Sequence, residues 1–324
     1  MHKKINWGII GLGKIASKFA TDLQLSDTAI LHGVASRSMN KAVAFAEKFN
    51  AKKAYDSYEA LANDPEIDVI YIATPHVFHF ENTMLCLQHN KAVLCEKPLG
   101  INSTQVQTMI EEAKSRNVFL MEAIWTRFMP SYQKVLELLD EKTIGEIISI
   151  RADFGFLGEL NPENRLYNKK LGGGSLLDIG IYPIFLSLLV LGMPTDINAM
   201  ARITDTGVDS FCGMLFNYDT NAKAVLESTF EANTPTEAYI YGTKGTIKLH
   251  RRFHHANTIT LYQDDTETVF ELPHSGIGYI HEIEDVNRCM LNGETENSKL
   301  PLAFSEQLMS IIDQVKEKIG LRYE

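Results

Sequence analysis

Trp7-Gly8-Ile9-Ile10-Gly11-Leu12-Gly13-Lys14-Ile15-Ala16 decides how the whole chain is read. Ile5–Ile10 is a short apolar run that predicts a strand, and Lys14–Leu23 carries a helical pattern. Gly11, Gly13 and Ala16 fall on the pattern G-x-G-x-x-G/A. Gly11 permits a tight turn, Gly13 lets a pyrophosphate approach the backbone, and Ala16 lets helix and strand pack closely. The helix start behind them offers unpaired N–H groups and the positive end of the dipole. Gly11, Leu12, Gly13, Lys14, Ile15 and Ala16 are therefore expected to cradle a dinucleotide phosphate. A lone match is weak, but this one opens a strand–helix series.

Outward from that turn, short apolar runs alternate with helical patterns. Ala29–Ala35 reads as a strand and Lys41–Phe49 as a helix; Tyr58–Ala62 is a helical turn ended by Asn63-Asp64-Pro65. Val69–Ala73 is a strand, His79–His89 a helix, Ala92–Cys95 a strand, Thr104–Arg116 a helix and Val118–Met121 a strand. Such alternation predicts a parallel α/β sheet of Rossmann-like type, covered on both faces. After about residue 123 the pattern changes. Helix Ser131–Leu139 and strand Ile147–Phe154 lead to Gly172-Gly173-Gly174, which opens an apolar helix over Ser175–Leu191. Strand-like runs follow at Ile197–Ile203, Ser210–Tyr218, Ala224–Phe230, Glu237–Tyr241, Thr246–Leu249, Thr258–Tyr262 and Thr268–Leu272. Strands without intervening helices predict an α+β domain with a mostly antiparallel sheet. Helices near Ile280–Leu291 and Phe304–Ile319 close the chain. The expected domains are 1–123, binding the nucleotide, and 124–324.

Composition sets outer limits. The 324 residues suggest two domains at about 150 residues each. The formal charge of −10 disfavours nucleic acid and anionic membrane as partners. Cys86, Cys95, Cys212 and Cys289 form no CxxC pair, which argues against a disulfide scaffold or zinc knuckle and for reduced thiols in the cytoplasm. An export signal is not expected, because Asn6, Gly8, Gly11, Gly13 and Lys14 break the first apolar run. Ile179–Met193 contains Pro183 and is shorter than the roughly 20 residues of a membrane helix, so it reads as a buried core helix.

The end of the second strand selects the cofactor. An NAD enzyme usually places Asp or Glu there to hold the ribose 2′-hydroxyl. This chain has Ser36-Arg37-Ser38. Hydroxyls and a guanidinium suit a 2′-phosphate, which an acid would repel. NADP(H) is expected. The plain alternative is that Ser38 caps the next helix and Arg37 is solvated.

Two further motifs are Cys95-Glu96-Lys97-Pro98 and Gly173-Gly174-Ser175-Leu176-Leu177-Asp178-Ile179-Gly180-Ile181-Tyr182-Pro183. With the glycine turn, they give a sequence that resembles the Gfo/Idh/MocA oxidoreductase family over essentially its whole length. Met121-Glu122-Ala123-Ile124-Trp125-Thr126-Arg127-Phe128 narrows the resemblance to a branch holding the dimeric dihydrodiol dehydrogenases and NADP-dependent D-xylose 1-dehydrogenases. Tyr182 supports that branch, since much of the wider family carries His there. The resemblance implies NADP(H)-dependent oxidoreduction of the CH–OH or C=O group of a sugar, diol or dicarbonyl. It implies catalytic roles for Lys97, Asp178 and Tyr182, and a homodimer formed through the open sheet.

The residue types fit that chemistry. Alcohol oxidation moves a hydride to the nicotinamide and a proton to a base. A Tyr phenol has a pKa of about 10, and a nearby ammonium favours its phenolate. Lys97 would also stabilise negative charge on the substrate oxygen. Asp178 and Tyr182 stand at i and i+4, on one face if the helix has already begun. The bland alternative makes Tyr182 a core residue and Asp178 a helix-entry acid.

Ala73 ends a strand and Thr74, Pro75 and His76 follow it, where loops line the cofactor crevice; His79 opens the next helix. The resemblance places these residues, Glu96, Lys97, Trp125 and Arg127 near the cofactor. Packing is the alternative for Trp125. His76 and His79 lack acidic or Cys partners, so no metal is expected. His250–His255 reads as a solvated hairpin loop. Phe154, Phe156 and Tyr279 are candidates for an aromatic substrate wall, with core packing as the default. A non-catalytic NADP(H)-binding sensor is the competing function; such a protein would be free to lose Lys97, Asp178 and Tyr182.

Overall fold

The structure is a computed structural model and describes residues 4–159 and 161–323. It divides into two compact units, Met1–Phe128 with Ser275–Glu306, and Met129–His274 with Gln307–Glu324.

The first unit alternates as expected: β1 (Ile5–Ile10), α1 (Lys14–Leu23), β2 (Ala29–Ala35), α2 (Met39–Phe49), β3 (Lys53–Tyr55), α3 (Tyr58–Ala62), β4 (Val69–Ile72), α4 (His79–Gln88), β5 (Ala92–Glu96), α5 (Ser103–Arg116) and β6 (Leu120–Ala123). The six strands run in the order β3-β2-β1-β4-β5-β6, with every pairing parallel. The strand order reverses between β1 and its neighbours β2 and β4, so their carboxyl ends open the crevice where such sheets bind ligands. All four residues of β4 are buried, as a strand covered on both faces requires. The three-residue edge strand β3 carried no readable signal.

One helix departs from its expected domain. Helix α8 (Ile280–Asn292) comes late in the chain but belongs to the first unit. Asp22, buried at the end of α1, caps its start: the carboxylate accepts the N–H groups of Ile277, Gly278 and Ile280 at 2.9 to 3.2 Å. The Trp7 indole donates to Asn287 at 2.9 Å. The first unit also runs on through Phe128, so it holds Trp125 and Arg127, which had been expected to begin the second domain.

The second unit contains α6 (Pro130–Asp140), β7 (Ile147–Gly155), α7 (Ile181–Leu191), β8 (Asp196–Ile203), β9 (Asp209–Asn217), β10 (Lys223–Thr229), β11 (Ala238–Gly242), β12 (Thr246–Leu249), β13 (Thr258–Gln263) and β14 (Thr266–Glu271). The last helix, α9 (Leu302–Ile319), starts in the first unit and ends in the second. The eight strands follow the order β14-β13-β12-β11-β7-β10-β9-β8, antiparallel except where β10 meets β7. Helix α7 is buried from Ile181 to Leu188, as expected of a core helix. Period-two alternation turns Ala224 and Leu226 inward and Val225 outward. Leu215 pairs with Val225 on the outward face, and Met200, also outward on β8, is 72% exposed.

The helix expected over Ser175–Leu191 is not uniform. Leu176–Gly180 forms a π-helical turn, and α geometry begins only at Ile181. A π turn inserts extra residues locally, so α-helical i,i+4 spacing does not by itself relate Asp178 to Tyr182. The His250–His255 loop is also not simply solvated. Phe253 is fully buried and anchors a 3-10 turn that carries His254 inward, while Arg251 and Arg252 stay exposed.

Candidate active site

The glycine turn explains its own composition. Gly11 has φ +87°, and a Cβ there would lie 2.7 Å from the backbone of Ala73 and Thr74. The turn is thereby pressed against the exit of β4, where the Ala73 N–H also donates to the Ile10 carbonyl at 2.8 Å. Gly13 is different: a Cβ there would meet nothing within 4 Å. It sits at the N-cap of α1, where no side chain caps the helix and no acid lies in the first turn. Ala16 is fully buried, while Gly13, Lys14 and Ile15 face outward. Open space in front of an uncapped helix start fits a dinucleotide pyrophosphate.

At the end of β2, Ser38 occupies the N-cap position of α2, yet its hydroxyl makes no capping bond. Instead the Ser36 hydroxyl accepts the Ser38 N–H at 3.3 Å, and the Ser36 N–H donates to the Tyr55 carbonyl at 3.1 Å. Arg37 and Ser38 are exposed. Burial pushes the Tyr58 phenol up, and the nearby Arg37 guanidinium opposes that shift.

The loops after β4 and β5 are tied together by His79. Its Nδ1 lies 2.7 Å from the Pro98 carbonyl oxygen and its Nε2 2.8 Å from that of Thr74. The Asn82 amide donates to the Thr74 hydroxyl at 3.1 Å. Pro75 leads into the short 3-10 turn of His76, whose ring meets His79 edge-on at 5.7 Å. Glu96 accepts a short hydrogen bond from the buried Tyr71 hydroxyl, and the Tyr71 ring stacks on Phe19 at 3.7 Å. Lys97 follows directly and precedes the cis peptide to Pro98. Trp125 stacks on Tyr279 at 4.4 Å, and Arg127 Nε donates to the Lys299 carbonyl at 2.8 Å. Tyr279 is thus a ring partner of Trp125 in the first unit.

In the second unit, Gly174 has φ +115°, and a Cβ there would collide with Asp209 Oδ1. Buried Asp209 accepts from the Ser175 hydroxyl and the Leu176 N–H, both at 2.7 Å. Burial pushes this carboxyl up to about 6 despite those bonds. The Tyr323 hydroxyl donates to the Gly173 carbonyl at 2.5 Å. The turn so pinned leads into Asp178, whose two carboxylate oxygens lie 3.0 and 3.1 Å from Arg165 Nη2. Tyr182 is buried in the first turn of α7, with Phe154 at 5.7 Å and His254 at 4.8 Å between ring centroids. Phe154 and His254 stack on each other at 4.5 Å. Phe156 instead packs against Phe230.

The first unit therefore gathers the glycine turn, Ser36–Ser38, Ala73–His79, Glu96, Lys97, Trp125 and Arg127. The second gathers Asp178 and Tyr182. Sequence reasoning missed Arg165, Asp209 and His254. Arg165 and Asp209 carry no local signal, because their partners lie 13 and more than 30 residues away. The flanking Phe253 was the one hint that His254 points inward.

Comparison with known proteins agrees with this architecture. Residues 5–124 match the oxidoreductase family model with an NAD-binding Rossmann fold, and residues 132–248 match the GFO/IDH/MocA C-terminal domain. A trans-1,2-dihydrobenzene-1,2-diol dehydrogenase of Xenopus tropicalis is 40% identical over 330 residues, covering 98% of each chain. The mouse enzyme of the same name is 38% identical over 332 residues, again covering 98% of each. KijD10, a 3-ketoreductase from Actinomadura kijaniata solved with NADP and TDP-benzene, superposes with a TM-score of 0.87 at 27% identity, covering 98% of both chains. An aldose-aldose oxidoreductase from Caulobacter crescentus reaches 0.90 at 20% identity over 98% of both chains, a likeness of fold. With its nucleotide-binding sheet, mixed second sheet and full-length relatives, the chain belongs to the GFO/IDH/MocA oxidoreductase family.

Proposed function

We propose that this protein is an NADP(H)-dependent dehydrogenase or reductase acting on the CH–OH or C=O group of a sugar, diol or dicarbonyl. The observation that carries the reading is a buried turn and helix start bearing both Asp178 and Tyr182, in a chain 40% identical over its length to a dihydrodiol dehydrogenase. Preference for the phosphorylated cofactor rests on Ser36-Arg37-Ser38, where the Ser38 hydroxyl is not spent on a helix cap.

In this reading NADP(H), when bound, supplies the hydride acceptor or donor. The N–H groups around Gly13 and the start of α1 hold the pyrophosphate. Ser36, Arg37 and Ser38 hold the 2′-phosphate. Ala73, Thr74, Pro75, His76, His79, Glu96, Trp125 and Arg127 shape the rest of the nucleotide site. Tyr182 Oη takes the proton of the substrate hydroxyl in oxidation and returns it in reduction. Lys97 favours the phenolate and stabilises negative charge on the substrate oxygen. Asp178, fixed by Arg165, orients a substrate hydroxyl. The Phe154 and His254 rings form an aromatic wall beside Tyr182.

The exposed apolar side chains of Met200, Leu215 and Val225 on the outward face of the sheet support a homodimer through the open sheet. Light scattering tests this, and a monomer mass would refute it. Four buried free thiols suit a reducing, cytoplasmic setting. A substrate panel of aldoses, vicinal diols and α-dicarbonyls, run with NADP⁺ and NADPH beside NAD⁺ and NADH, tests the activity. Tight cofactor binding with no turnover anywhere would favour the sensor function.

A further inference from the structure

The segment Lys97-Pro98-Leu99 is held from two sides. His79 reaches the Pro98 carbonyl, as described above. From the other side, Glu122 on β6 reaches the next peptide: its Oε1 accepts the Leu99 N–H at 2.8 Å. Glu122 is 2% exposed, and Leu99 is fully buried. The strands place it there, because Glu122 stands opposite Cys95 in the parallel register, one residue before Glu96. A carboxylate with this little water is an expensive way to satisfy one N–H, since a neutral side chain would accept the same bond without the cost of burying a charge. The Ser305 hydroxyl also acts on this carboxylate. We propose that Glu122 is a positioning residue for Lys97, its carboxylate fixing the Lys97–Leu99 segment through the Leu99 N–H.

This inference rests on Lys97 being the proton-handling lysine of the proposed function. The groups around Glu122 agree with it. Burial pushes its carboxyl up to about 7, with the Ser305 hydroxyl, the Leu99 N–H and the Lys97 charge pulling down and Glu96 pushing up. Cys95, Glu96 and Lys97 are thus the titratable groups on the β5 side, and Ser305 of α9 is an uncharged neighbour.

The test uses the full chain with Glu122→Gln and Glu122→Ala. Glu122→Gln keeps an acceptor for Leu99 and removes the charge. It is expected to melt at or above the wild-type temperature, to bind NADPH within twofold, and to lower kcat roughly tenfold, the scale of a small misplacement of a reacting group. Wild-type kcat should change through about pH 7, and Glu122→Gln should flatten that change. In the cofactor-free protein, acetylation of Lys97 followed by peptide mass spectrometry should change in rate at least threefold. Glu122→Ala should lose more kcat than Glu122→Gln; if it does not fold, Glu122→Gln alone decides. An unchanged kcat, pH profile and Lys97 labelling rate in Glu122→Gln would overturn the inference. Retained turnover in Lys97→Met would overturn the underlying role of Lys97 instead, and the labelling result would still read whether Glu122 controls that side chain.

Discussion

Arg165 Nη2 lies 3.0 and 3.1 Å from the two carboxylate oxygens of Asp178, so one guanidinium nitrogen fixes the carboxylate within the π-helical turn. Asp178 is largely buried, whereas the Arg165 side chain is 39% exposed. A half-exposed pair adds at most about 1 kcal/mol to stability, which leaves orientation as its main effect.

Arg165→Gln should therefore leave the melting temperature nearly unchanged and lower kcat about tenfold, while NADPH affinity stays within twofold. Steady-state kinetics beside cofactor titration check this. A drop in stability without a drop in kcat would assign the pair to folding.

Lys97→Met should abolish turnover and keep NADPH binding. Tyr182→Phe should lower kcat by roughly 100-fold or more, the usual worth of a positioned acid–base group. Both are read by kinetics and cofactor fluorescence. Full activity in either variant would remove that residue from the proton chemistry.

Gly13→Asp separates fold from ligand. The N-cap position of α1 favours an acid through the helix dipole, and a Cβ at Gly13 meets nothing within 4 Å. The variant should melt at or above the wild-type temperature yet bind NADPH at least 100-fold more weakly, because the new carboxylate faces the pyrophosphate. Unchanged affinity by calorimetry would place the phosphates elsewhere.

Arg37→Asp should reverse the cofactor preference, weakening NADPH and strengthening NADH so that their affinity ratio moves by about 100-fold. Titrating both cofactors into both proteins checks it. A ratio that does not move would show that Arg37 is merely solvated.

Asp209 gives a pH dependence with a definite sign. Its folded-state pKa of about 6 lies above the ordinary 3.8, so the native state holds this proton more tightly than the unfolded chain. The protonated form carries no penalty below about pH 4. As pH rises through 4 to 6 the group costs up to about 3 kcal/mol, and above 6 the cost is constant. Asp209→Asn keeps an acceptor for Ser175 and Leu176 and removes the titration. The variant's stability relative to wild type should therefore rise between pH 4 and 7 in urea unfolding. A difference independent of pH would contradict the assignment.

Much of the fold was legible because local chemistry dictates it. Gly11 can only be glycine at φ +87° against the β4 exit, so the motif and the turn are the same fact. A short apolar run such as Val69–Ile72, set within a strand–helix series, reads as a strand buried on both faces. What stayed hidden depends on partners distant in sequence. Nothing near Ile280 announces that Asp22 caps that helix, and nothing near Asp209 announces Ser175. The π-helical turn at Leu176–Gly180 reads as ordinary apolar helix in composition. His254 looked solvated because His250, Arg251 and Arg252 are polar neighbours, whereas the anchoring is done by one Phe.

The Asp22 cap has a consequence for how the chain is assembled. The nucleotide-binding half is discontinuous: its buried Trp7 indole and Asp22 carboxylate find their partners only at Asn287 and Ile277–Ile280. On a ribosome these partners emerge after the entire second sheet has been made. A fragment cut at residue 123 would leave a buried acid and an indole N–H unmatched. It should behave as an unfinished, sticky intermediate and not as a portable cofactor-binding module.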